Sequence, residues 1–136
     1  MTRATMYSWI LLSIELASGK SPAPLERIIA AADALNHAIP TQKEINEAIG
    51  WLMQKGFISE QEKKYNLTEQ GRDLLIEIHL QAPKPFDAWD LLKKRFFMSD
   101  VPLKMANISQ IEWQTALDAY YNEAKSKYGV RVNRKS

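Results

Sequence analysis

The chain reads as a mainly α protein with one small β-hairpin and an appended C-terminal helical region, and three observations predict this. Apolar residues recur at helical spacing in six segments separated by Gly, Pro and short polar breaks. Two of those segments open with a capping box, Thr41-x-x-Glu44 and Ser109-x-x-Glu112. Between the third and fourth segments, Phe57-Ile58-Ser59 and Lys64-Tyr65-Asn66-Leu67 flank a polar tip, Glu60-Gln61-Glu62-Lys63, as two short strands would.

The first helix is expected from Ala4 to Ser18, where Met6, Trp9, Ile10, Ser13 and Leu16 or Ala17 share a face and Gly19 supplies a stop. Its apolar stripe is wide, so it either sits centrally in a core or shares a second face with a dimer partner. Ser21-Pro22-Ala23-Pro24 marks a helix start, because proline is tolerated only in a first turn. The second helix follows over Ala23–Leu35, with Leu25, Ile28, Ile29, Ala32 and Leu35 on one face. Pro40 disfavours helical backbone at Ile39, so Asn36–Pro40 is the turn.

Thr41 and Glu44 can each satisfy a free backbone amide of the other, which fixes the start of the third helix. Its inner face is Ile45, Ala48, Ile49 and Leu52, flanked by Trp51 and Met53, and Gly56 ends it. The opposite face carries Lys43, Asn46, Glu47, Gly50 and Gln54. Thr68 opens a fourth helix, Glu69 to about Leu80, which buries Leu74, Leu75 and Ile78.

Gln81-Ala82-Pro83-Lys84-Pro85 reads as a linker, since its prolines favour extended backbone. The appended region then offers Phe86–Met98 as one helix and a second from the Ser109 box to about Lys127. Trp89, Phe96, Phe97, Trp113, Tyr120 and Tyr121 exceed what two short helices bury alone, so they either cover the preceding core or form a homodimer seam; a ligand pocket is a third use. Residues 1–80 are thus one unit, 81–85 a linker, 86–128 the helical region, and 129–136 a mobile basic tail with Arg131, Arg134 and Lys135.

The 136-residue chain can bury a core without staples, and having no cysteine it has no disulfide, thiolate metal site or cysteine nucleophile. No signal peptide or membrane span is expected at the apolar start, because Ser8, Ser13 and Glu15 interrupt Met6–Leu16 well short of the ~20 residues a span needs. Residues 1–80 carry eight Lys and Arg against ten Asp and Glu, and residues 81–136 ten against six. The excess of positive charge therefore lies outside the hairpin-containing unit, which works against non-specific phosphate binding there. Gly-rich phosphate loops, nucleophile elbows and metal-spaced histidines are absent, so neither catalysis, a cofactor nor a metal is expected; His37 reads as a turn residue and His79 as a helix-end residue.

The run from Pro40 to Gly71, above all the third helix and Tyr65-x-Leu67-Thr68-x-x-Gly71, resembles a winged helix-turn-helix domain of the MarR-like and PadR-like kind, over roughly residues 5 to 80. It also looks like bacterial winged-helix proteins without an assigned role. The resemblance implies a cytoplasmic, dimeric regulator that binds operator DNA through the third helix and needs no cofactor. On that reading Lys43, Asn46, Glu47 and Gln54 meet base edges or phosphate, and Lys63 and Lys64 of the wing meet a flanking phosphate or minor groove. The acids Glu47, Glu60 and Glu62 on the same surface lower that affinity. The competing expectation is a protein-interaction module that uses the exposed helix or the aromatic C-terminal region.

Overall fold

The structure, a computed structural model, describes residues 1–128; the basic tail read at 129–136 lies outside the described residues. Six helices and three short strands follow in the order α1 (Arg3–Ala17), β1 (Ala23–Pro24), α2 (Leu25–Asn36), α3 (Gln42–Gln54), β2 (Ile58–Gln61), β3 (Lys64–Leu67), α4 (Glu69–Gln81), α5 (Pro85–Arg95) and α6 (Gln110–Tyr128). The class is therefore mainly α with a small antiparallel sheet.

Helix α1 is the centre of the molecule. Thr2 caps it by accepting from the Thr5 amide at 3.1 Å, and every residue from Met6 to Ile14 is buried. Its two buried serines are satisfied within the helix, Ser8 on the Ala4 carbonyl at 2.6 Å and Ser13 on the Trp9 carbonyl at 2.7 Å. Two tryptophans tie neighbours to it: Trp9 donates to the Ala32 carbonyl of α2 at 2.9 Å, and Trp89 of α5 donates to Ser8 Oγ at 3.0 Å. The second face that the wide stripe left open is thus covered by α5 of the same chain.

Strand β1 was not foreseen. Ala23 and Pro24 pair antiparallel with Tyr65 and Lys64, which makes the sheet order β1-β3-β2 and starts α2 at Leu25 rather than Ala23. Proline is compatible with this because β1 is an edge. The hairpin is tighter than the four-residue tip expected: Gln61 pairs with Lys64, and Glu62 and Lys63 alone make the turn at φ 52° and 62°. Both lie in the left-handed region that a two-residue type I′ turn requires. Glu60 supports it by accepting from the Lys63 amide at 2.7 Å.

The reciprocal capping box at Thr41 is formed, with Glu44 N donating to Thr41 Oγ1 at 3.1 Å and Thr41 N to Glu44 Oε1 at 2.9 Å. Thr41→Ala is expected to lower stability by about 1 kcal/mol, read as a shift of the urea midpoint at unchanged slope.

The C-terminal region closes on the same core. Only Ala82 to Lys84 separate α4 from α5, and Ala82 is itself buried. Ala88, Trp89, Leu92 and Phe96 join one hydrophobic cluster with α1 and α3, as do Ile108, Ala116 and Leu117, while Trp113, Tyr120 and Tyr121 pack against it half-buried. Helix α5 stops at Arg95, short of Met98, and Phe86 and Phe97 point outward. Among the described residues no helix is long and apolar enough to cross a membrane.

Candidate functional site

The face of α3 that the sequence offers to a partner is met by the chain itself. After α5, residues 99–109 run without regular structure across the outside of α3. Asn46 holds this strap with both ends of its amide: Oδ1 accepts from the Ile108 amide at 2.9 Å and Nδ2 donates to the Ile108 carbonyl at 2.9 Å. The same carbonyl accepts from Gln42 Nε2 at 2.9 Å, and the Ala106 amide donates to the Asn46 backbone carbonyl at 2.9 Å. Two turns further on, Gln54 Oε1 accepts from the Leu103 amide at 2.7 Å.

Gly50 explains how the strap comes so close. A Cβ there would overlap the Lys104 carbonyl oxygen and lie 3.0 Å from Met105 Cα and 3.1 Å from the Ala106 nitrogen. A mid-helix glycine costs α3 roughly 1 kcal/mol relative to alanine, and the backbone contact is what it provides in return.

Glu47 is a correction. It was expected on the outer face with Lys43 and Asn46, but it is buried, 7 % exposed. Tyr7 Oη donates to Glu47 Oε2 at 2.7 Å and Arg3 Nε donates to the same oxygen at 3.2 Å. The reason is angular: Glu47 stands one turn before Trp51, which stacks on Tyr7 at 4.7 Å, so both side chains turn toward α1. Burial, then the Glu47 carboxylate, pushes the Tyr7 phenol well above its ordinary value.

The β2–β3 hairpin is engaged too. Lys63 Nζ lies 3.3 Å from Glu112 Oε2 on α6, and its hydrogen bond, aided by the Ser109 hydroxyl and amide, holds the Glu112 carboxyl below the usual range. Lys43 and Lys64 stay exposed. Of the six residues expected to meet DNA, Asn46 and Gln54 therefore bind the strap, Glu47 points inward, Lys63 pairs with α6, and Lys43 and Lys64 face outward. What sequence reasoning missed is the strap, whose contacts run through its own backbone.

Tyr65 of β3 is the buried side chain of this hairpin strand. Burial, followed by the charges of Glu60 and Glu112, pushes its phenol up to about 12 from an ordinary 10.0. A raised folded-state value means the contribution is whole below pH 10 and is lost as pH rises through about 12. Tyr65→Phe is expected to flatten the fall in melting temperature over that window relative to the parent chain, as read by thermal unfolding across the alkaline range.

His37 closes α2 in the left-handed region at φ 51°, and His79 on α4 meets the Glu15 carboxylate at 2.9 Å. Among the described residues no three His, Cys, Asp or Glu side chains gather as a metal site would need. Comparison with known families, curated proteins and solved structures found nothing that matches this chain.

Proposed function

We propose that the chain is a winged-helix protein working as a protein-interaction module, with its third helix withheld from DNA by the strap. The fold part of this reading is supported by α2 and α3, two helices joined by the short 37–41 turn, followed directly by the β2–β3 wing. The functional part is carried by one observation, the use of Asn46. An asparagine reads adenine by accepting from N6 and donating to N7 at once. Here that same donor and acceptor pair is taken by the Ile108 peptide groups. A base edge would have to displace a peptide that already matches the amide.

The test is anisotropy of labelled random-sequence duplex DNA against the purified protein across a salt series. This reading expects no saturable binding even at low salt. Binding whose logarithm falls linearly with log salt, and which Lys43→Glu with Lys64→Glu abolishes, would overturn it.

One observation favours a second reading, that the strap covers a competent DNA reader. Lys43 and Lys64 remain exposed beside the covered face, where they would meet phosphate once it opened. On that reading DNA binding is absent from the parent chain and appears when the strap is displaced.

A further inference from the structure

Several exposed apolar side chains lie where α5 runs into the strap. Phe97 is 74 % exposed, Met98 84 % and Leu103 95 %. Phe97 and Met98 form one edge of a groove of about 430 Å³ whose floor is aromatic. Trp51 meets Phe96 edge-on at 4.8 Å, and Phe57 stacks on Phe96 at 5.8 Å. Gln54 also lines the groove and accepts from the Leu103 amide, which ties the strap beside it.

Two features mark this as more than leftover surface. Met98 sits at φ 70°, a left-handed conformation that costs a non-glycine residue on the order of 1 kcal/mol or more. The bend is held by Ser99, whose amide donates to the Phe96 carbonyl at 3.0 Å and whose hydroxyl donates to the same oxygen. A strained turn thus presents two large apolar side chains to water. The second feature is charge. Lys55 and Arg95 line the groove, Lys94 flanks Phe97, and Lys104 follows Leu103. Two acids offset part of this: Glu77 pairs with Arg95, and Asp100 Oδ1 is occupied by the Val101 amide at 2.8 Å.

We infer that this groove docks an acidic amphipathic segment of another protein, its apolar side chains on the aromatic floor and its carboxylates against the lysine rim. The inference rests on the interaction-module reading and gives that module its surface and the chemistry of its partner. Methionine at the edge suits such a site, because its unbranched side chain adapts to varied apolar partners. A second copy of this chain fits poorly, since a two-fold contact would bring the lysine rim onto itself. A lipid surface also fits poorly, because Trp51 and Phe96 of the floor are buried while Phe97 and Met98 stand exposed, so a flat bilayer would meet the edge and not the floor.

The test is selection of a displayed library of random short peptides on the full-length protein, then titration of the enriched sequences as synthetic peptides. Enrichment of sequences that combine Asp or Glu with large apolar residues is expected. Their affinity should fall at least tenfold for Phe97→Ser with Met98→Ser, and again for Lys55→Glu, both of which alter exposed side chains and should leave circular dichroism unchanged. Four results would overturn the proposal: no enrichment, enrichment of basic or uncharged sequences, affinity indifferent to the substitutions, or binding of phosphatidylserine vesicles or self-association through the same side chains in place of peptide. Failure here with DNA still unbound removes the groove and leaves the module reading in place; DNA binding in the salt series removes the module reading whatever the peptides do.

Discussion

Gly50→Leu is expected to lift residues 103–108 off α3 and to lower stability by about 2–3 kcal/mol. A leucine cannot share space with the Lys104 carbonyl, and both partners are backbone, so no rotamer change relieves the overlap. The five hydrogen bonds between the strap and α3 are worth about 1 kcal/mol each net, and burial of Ile108 adds roughly 2 kcal/mol. Against this stand the chain entropy regained by the freed strap, several kcal/mol, and roughly 1 kcal/mol from replacing a mid-helix glycine. Urea unfolding reads the net loss. The same variant separates the two functional readings: a freed face that still ignores duplex DNA supports the interaction module, and salt-dependent binding that appears only in the variant supports a covered DNA reader.

Asn46→Ala is expected to lower stability by roughly 2 kcal/mol without any steric conflict. It removes two hydrogen bonds at once. The Ile108 carbonyl keeps Gln42, but the Ile108 amide loses its only partner among the described residues while its side chain stays buried. An unsatisfied buried amide costs about 1–3 kcal/mol, partly offset by the better helix propensity of alanine. Asn46→Asp is the sharper companion. A carboxylate keeps the acceptor for the Ile108 amide but turns a negative oxygen toward the Ile108 carbonyl, so it should destabilise as well. If Asn46 merely faced water, both changes would be close to neutral.

Local signals carried far in this chain. The capping box at Thr41, the turn ended by Pro40 and the Thr68 helix start each depend on neighbouring residues, and each is formed. Strand β1 was illegible because two residues show no alternation and Pro24 looks the same at a strand edge as at a helix start. The strap was illegible for another reason. It binds through peptide groups, which every residue has, so Val101 to Ile108 show no period. Its trace lay on the other side of the contact. A glycine and an asparagine on the outside of an otherwise good helix both lower helix propensity, and together they marked a face built to receive backbone.

The covering of α3 also changes what its outward residues mean. Lys43, Asn46 and Gln54 share a face, as the helical spacing requires, yet two of the three serve the chain's own fold. The aromatic excess beyond residue 85 divides in a similar way. Trp89 and Phe96 complete the core around α1, while Phe97 remains outside with Met98 and gives the docking groove its edge.

Amide hydrogen exchange at Ala106 and Ile108 tests the central claim most directly. Both amides donate to Asn46 in a segment without regular structure, so nothing but the strap contact would protect them. Exchange slowed to the level of the α3 amides, and restored to the free-chain rate by Gly50→Leu, is the predicted result. Free-chain exchange at both positions in the parent protein would show α3 uncovered and would contradict the account.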